Sequence, residues 1–277
     1  YEKESDQNKL AVSTVAVISY VTQSRAHALN LHDSGVDVVV GLRKGGKSWP
    51  VAVKDGFDVM TVPEAAQKAD IIMILINVGS CIRKVINDPK LTEQIDESIA
   101  KLKKYFIHPE FKCLLETVGM NGEFVDTCMG RTINPGHCIE TSWFILDVAK
   151  QRGWDKEITD MALQIFDWYW DWGWDKQYGG IINFRDCRNL PVQDYSQDMK
   201  FWWPQCEAII ATLYAYEATG DPKYLEMHKQ INEYTYARFP DKEYGEWFGY
   251  FHYDGTLSQP AKGNMYKGPF HIPRMLL

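Results

Sequence analysis

The feature that most constrains what this chain can fold into is a change of composition near residue 77. Nine of the ten tryptophans lie beyond that point, whereas the segment before it is rich in Val, Ala, Ile and Asp. One uniform architecture does not divide in this way, so the chain reads as two pieces, residues 1–77 and 78–277. In the first, 14–19 (TVAVIS), Asp37–Leu42 (DVVVGL) and 70–77 (DIIMILIN) are short apolar runs of the kind that form buried strands. Helical spacing over 23–34 and 62–69 separates them, which predicts parallel βαβ units and a partial Rossmann-like α/β segment. The second piece carries apolar residues at helical spacing over 91–106, 135–152, 156–172, 200–219 and 222–239, with a hairpin expected over 245–258 at Asp254-Gly255. The fold class is therefore mixed and mainly α. No low-complexity linker joins the pieces.

Composition narrows the function. The chain has 277 residues and a net charge of -7, from 30 basic against 37 acidic residues. That balance gives no general attraction to nucleic acid or anionic lipid. The longest apolar run, 71–76, falls far short of the ~20 residues of a membrane helix, and no charged-then-apolar leader opens the sequence. The expectation is a cytoplasmic protein with a small-molecule partner, neither membrane-bound nor nucleic-acid-binding. Its six cysteines contain no CxxC pair, so neither a zinc site nor a disulfide framework is expected.

A dinucleotide fingerprint would place three glycines between the first strand and helix, where the pyrophosphate approaches the backbone. Those slots hold Ser19, Val21 and Ser24, and the β-branched Val21 fills the space of approach, so NADP binding is expected to be weakened. After the second strand, Arg43, Lys44, Lys47 and Ser48 form a set suited to a 2′-phosphate, or else a solvated basic loop. This stretch resembles the N-terminal domain of ketol-acid reductoisomerase through VAVISYVTQSRAHALNLHDSGVDVVVGLRK, DGFDVMTVPEAA and ADIIMILIN. The resemblance implies an NADP-dependent reductoisomerase ancestry. That family has glycines where Ser19, Val21 and Ser24 stand and a histidine where Arg25 stands, and its second, metal-binding helical domain has no counterpart here.

Four features of the second piece converge on a sugar. In NPGHCIE, Asn134 is a good N-cap and Pro135 suits the first helical position. His137 then sits where the helix macrodipole favours a neutral imidazole, a general base that Glu140 could orient from the next turn. In FWWPQCEAI, Trp202 and Trp203 offer aromatic faces beside the carboxylate of Glu207. In GPFHIPRMLL, His271 and Arg274 stand three apart at a helix start, and the run 168–174 adds Trp168, Trp170, Trp172 and Trp174.

These segments resemble the N-acylglucosamine 2-epimerase (renin-binding protein) family over about 78–277, through GRTINPGHCIETSWFILD, WDKQYGGIINFRD, MKFWWPQCEAIIATLYAYEATGD, YGEWFGYFHYDGT and KGPFHIPRMLL. The resemblance implies an (α/α)6 toroid, of whose twelve or so helices five or six are read here. It implies a cofactor-independent isomerase in which His137 and His271 exchange the C2 proton of an amino sugar, with Glu207 and Arg274 essential. Trp202, Trp203 and Glu140 are expected to contact substrate. The family also implies an ATP effector, for which no GxxxxGK[ST] loop is present; RKGGKSW lacks the first glycine. Together the resemblances imply a chimeric chain. The alternatives are a non-catalytic binding or assembly protein, with a homodimer among its partners, and an NADP-dependent reductoisomerase.

Overall fold

The computed structural model of the protein describes residues 14–18, 20, 25, 28–29, 32–33, 37–61, 72–86, 88–119, 121–264 and 266–277. The chain divides into two compact units, Tyr1–Leu75 and Ile76–Leu277.

In the first unit, β1 (Thr14–Ile18), β2 (Asp37–Leu42) and β3 (Asp58–Thr61) form a parallel sheet in the order β1-β2-β3. β2 is buried from Val38 onward, as a central parallel strand covered on both faces must be. The short helix α1 (Trp49–Lys54) contributes Ala52 to a core with Tyr20, Val38, Val40, Leu42 and Phe57. The expected helix over 62–69 and the fingerprint positions Ser19, Val21 and Ser24 lie outside the described residues; of 23–34, Arg25, Ala28, Leu29, His32 and Asp33 are helical.

The expected third strand over 70–77 is a correction. Residues Ile72–Arg83 form a twelve-residue helix, α2, and the third strand is β3, where no strand was expected. A continuous apolar run fits a buried strand or a buried helix equally well, and here helical character persists through NVGSCIR, beyond the usual strand length.

The second unit continues through α3 (Pro89–Lys101) and a π-helical turn (Leu102–Phe106) to the antiparallel pair β4 (Ile107–His108) and β5 (Cys113–Leu114). There follow α4 (Cys128–Arg131), β6 (Thr132–Ile133), α5 (Pro135–Gln151), α6 (Lys156–Gly173), β7 (Arg185–Asp186), β8 (Lys200–Phe201), α7 (Trp202–Thr219), α8 (Pro222–Arg238), β9 (Tyr250–Phe251) and α9 (His271–Leu276). The expected hairpin turns at Gly255, whose φ of +82° is one a glycine adopts without strain.

Helix α5 is the centre of this layer. It is buried on every side from Cys138 to Ala149, and α6 and α7 both pack on it. A helix covered all round must satisfy its own polar groups. Asp147 accepts hydrogen bonds from Ser80 Oγ (2.7 Å), Lys84 Nζ (3.0 Å), Tyr214 OH (3.0 Å) and Gln151 Nε2 (2.8 Å). The start of α5 meets the start of α7, where Gly136 lies against Trp203 and Pro204, and it meets the end of α6, where Pro135 lies against Gly173. Helix α9 packs on α7. Three helix starts thus converge on one end of the layer. No described helix is long and apolar enough to cross a membrane.

Candidate active site

His137 reaches the site because the backbone around it is capped as the sequence predicts. Asn134 Oδ1 accepts the His137 backbone N–H at 3.0 Å, and Pro135 occupies the first helical position. Its partner differs from the one expected. His137 Nδ1 lies 3.0 Å from Glu116 Oε1, in the segment after β5, while Glu140 turns away to pair with Arg274. The expectation of a lowered pKa is also corrected. Burial does oppose protonation of His137, but the Glu116 hydrogen bond and charge, with the charge of Glu140, outweigh it and raise the pKa. A carboxylate at hydrogen-bond distance overrides the helix macrodipole, a weaker effect.

His271 opens α9, and its Nδ1 lies 2.6 Å from Oε1 of the fully buried Glu207. That carboxylate also accepts Trp143 Nε1–H at 2.8 Å and Arg274 Nη2 at 2.6 Å. Arg274 Nη2 further donates to Glu140 Oε1 and stands 3.4 Å from His271 Nδ1. Burial works against the Arg274 charge, yet the two carboxylates raise its pKa. Burial and the like charge of Glu207 push Glu140 up, against the pull of Arg274 and His271.

Both imidazoles lie against one indole. The Trp203 ring centroid is 4.9 Å from that of His137 and 5.6 Å from that of His271. The rings can be no farther apart than those two separations laid end to end, so they serve one small space. Trp202, expected as a second stacking surface, is instead 2% exposed and packed in a core cluster with Tyr234, Phe239, Trp247 and Tyr250. Adjacent helical residues point about 100° apart, so the two indoles leave α7 in different directions, and the Trp202 ring meets that of His271 at 6.3 Å between centroids. Of the tryptophan run, Trp170 stacks on Trp174 at 5.0 Å, whereas Trp168 and Trp172 border a different cavity of about 360 Å³ with Asp171, Glu110 and Asn189.

Sequence reasoning brought His137, His271, Glu207, Arg274, Trp203 and Glu140 to this site and missed Glu116 and Trp143. The one signal for Glu116 is an acid inside the apolar run CLLETV. Cys138 faces inward to donate to the Leu114 carbonyl at 3.5 Å, and burial holds its thiol well above the ordinary range, so it is no nucleophile. Glu140, Glu207 and His271 offer ligand atoms within 4.8 Å of one another, a set able to hold a divalent cation. The Arg274 guanidinium sits against all three and supplies positive charge at that point.

In the first unit, Arg43, Lys44 and Lys47 are exposed on the turn after β2, without side-chain partners among the described residues, and the Ser48 side chain makes no capping bond. Arg25 is held by Asp55 through two contacts of 2.7 and 3.1 Å, with Tyr20 OH donating to the same carboxylate.

Residues 85–268 match the family described as N-acylglucosamine 2-epimerase (GlcNAc 2-epimerase), and residues 9–143 match the NADPH-binding domain of acetohydroxy acid isomeroreductase. The N-acylglucosamine 2-epimerase of Bos taurus is 43% identical over 165 residues, covering 60% of this chain and 39% of that protein. The ketol-acid reductoisomerase (NADP(+)) of Methanocaldococcus jannaschii is 47% identical over 113 residues, 40% of this chain and 34% of that protein. The chain thus spans well under half the length of either relative. Among solved structures, the cellobiose 2-epimerase of Bacillus thermoamylovorans superposes with a TM-score of 0.64 at 25% identity, covering 74% of this chain and 50% of that one. The helical part therefore shares the fold of the (α/α)6 epimerases, and the chain joins sequence of two families.

Proposed function

The chain belongs, through residues 85–268, to the N-acylglucosamine 2-epimerase family, and we propose that it interconverts N-acylglucosamine and N-acylmannosamine by removing and returning the C2 proton of the open-chain sugar. The observation that carries this reading is the pair of imidazoles that both lie against the Trp203 ring, each with Nδ1 on a carboxylate. Epimerisation takes a proton from one face of C2 and delivers one to the other, so it needs two groups that titrate near neutrality on opposite sides. With Nδ1–H donated to a carboxylate, each imidazole keeps Nε2 as the exchanging nitrogen. The carboxylate then stabilises the imidazolium formed when that nitrogen takes the proton.

Loss of the proton places negative charge on the sugar oxygens beside C2. Arg274 suits its stabilisation: it is held by two carboxylates, and its Nε–H is buried with no hydrogen-bond partner among the described residues. Trp203 supplies an aromatic face for the substrate, and Glu140 acts through Arg274. This route uses protein groups alone. The test is solvent exchange: the purified chain incubated with either N-acyl sugar in deuterated water should place deuterium at C2, read by NMR. Absence of C2 deuterium under conditions in which the bovine relative exchanges would remove the reading.

A second reading concerns the first unit alone. Its parallel strand order and the exposed cations after β2 favour a Rossmann-like segment with affinity for a 2′-phosphate, as in NADP. Trp49 follows that turn directly, so NADPH should quench part of the tryptophan fluorescence; no change at millimolar NADPH would exclude it.

A further inference from the structure

The geometry points to Glu116 as a positioning residue for His137: its carboxylate fixes the imidazole tautomer that leaves Nε2 free, making His137 the second of two carboxylate-held histidines. The inference rests on the epimerase reading for its catalytic meaning but not for its test.

Three observations carry it. The first is distance, since Glu116 Oε1 and His137 Nδ1 are 3.0 Å apart and a carboxylate there can only accept. The second is exclusivity. Glu207 serves Trp143, His271 and Arg274 at once, whereas among the described residues the Glu116 carboxylate hydrogen-bonds His137 alone. The third is the way the backbone before Glu116 is held. Leu114 pairs with Ile107 across β4 and β5, and Leu115 N–H donates to the Phe106 carbonyl at 2.8 Å. The fully buried Tyr169 of α6 donates its hydroxyl to the Leu114 carbonyl at 2.6 Å and accepts the Leu114 N–H at 3.2 Å. Cys138, the residue after His137, donates to the same carbonyl at 3.5 Å. Backbone on both sides of the Glu116–His137 bond is thus pinned, the arrangement by which a catalytic side chain is preorganised rather than found by chance encounter.

The charged and titratable groups facing His137 are few. Glu116 approaches from the segment after β5, Glu140 from the next turn of α5, and His271, Glu207 and Arg274 stand beyond Trp203 on α7 and α9. Removing the Glu116 charge leaves Glu140 as the remaining anion acting on His137, so the midpoint of His137 must fall.

The experiment is a pH titration of imidazole nitrogens by long-range 1H–15N NMR on the full chain, comparing the parent with Glu116→Gln and Glu116→Asp. The expected result is a downward move of the His137 midpoint and loss of its single-tautomer signature in Glu116→Gln. Glu116→Asp should keep the tautomer and recover part of the midpoint, and it also serves if the glutamine variant does not fold. C2 deuterium exchange in Glu116→Gln should drop on the order of 10- to 100-fold in kcat with KM nearly unchanged. A His137 midpoint and tautomer identical in parent and variants overturns the inference. If the titration moves as stated and no protein exchanges C2, the positioning role stands and the epimerase reading alone fails.

Discussion

A single methyl group at Gly136 tests whether the indole between the two imidazoles is where catalysis requires it. A Cβ built there would lie 2.5 Å from Trp203 Cη2, 2.6 Å from Cζ3 and 2.9 Å from Pro204 Cγ. Ordinary carbon contacts are about 3.5–4.0 Å, so in Gly136→Ala the ring must retreat by roughly 1 Å. Two effects on stability oppose each other. Alanine improves on glycine within a helix by up to about 1 kcal/mol, while forcing a methyl into a packed contact costs about 1–3 kcal/mol. With the full helix gain realised, the net is a loss of about 0–2 kcal/mol, or a Tm lowered by a few degrees for a unit of this size. Activity has no such compensation, because a misplacement of about 1 Å in the surface that positions the substrate costs on the order of 100-fold. Thermal unfolding by circular dichroism and C2 deuterium incorporation measure the two separately. A variant that gains the full helix stabilisation and exchanges at the parental rate would refute the reasoning, because Trp203 would then be free to move without consequence.

Removing Glu207 with Glu207→Ala strands Trp143 Nε1, His271 and Arg274, and is expected to cost about 3–5 kcal/mol in urea denaturation as well as C2 exchange. The neighbouring tryptophans should separate: Trp202→Ala loses about 3–5 kcal/mol of stability as a core deletion, whereas Trp203→Ala leaves the chain folded and abolishes exchange. Burial raises the Asp147 pKa, but its hydrogen bonds from Ser80 and Lys84 dominate and leave it lowered, so its contribution to stability is present above the ordinary carboxylate pKa and lost as pH falls through the depressed one. The stability gap between parent and Asp147→Asn should therefore be widest at neutral pH, about 2 kcal/mol, and close on acidification; a gap independent of pH would show that Asp147 is not charged in the folded state.

What the sequence disclosed follows the range of the interactions involved. Asn134, Pro135 and His137 were legible because capping is settled within four residues, and His271 with Arg274 because positions three apart share a helix face. The Glu116–His137 bond was not, since the two residues are brought together by β4–β5 pairing and by Tyr169, none of which leaves a periodic trace. Glu140 was assigned to His137 by proximity along one helix, and a long-range guanidinium claimed it instead. Between Trp202 and Trp203, composition shows two aromatic faces, and only the direction in which α7 starts decides which one enters the core. The run 70–77 misled for a different reason: full burial erases the amphipathic pattern that distinguishes strand from helix.

The place where the chain changes family is not the place where it changes body. The family match to the epimerases begins at residue 85, inside a reductoisomerase match that runs to residue 143, yet the helical unit begins at Ile76, and Ser80 and Lys84 from the stretch before residue 85 bind Asp147 in the central helix. A recombination event or an engineered exchange that cut at the family border would carry away two of the four donors on that carboxylate and leave it partly unanswered inside the layer. Viable exchange of the first unit for an unrelated leader is confined to joints before Ile76. Ancestry and mechanical integrity thus assign these nine residues, 76–84, to different owners, and inheritance of the helical unit requires that they travel with it.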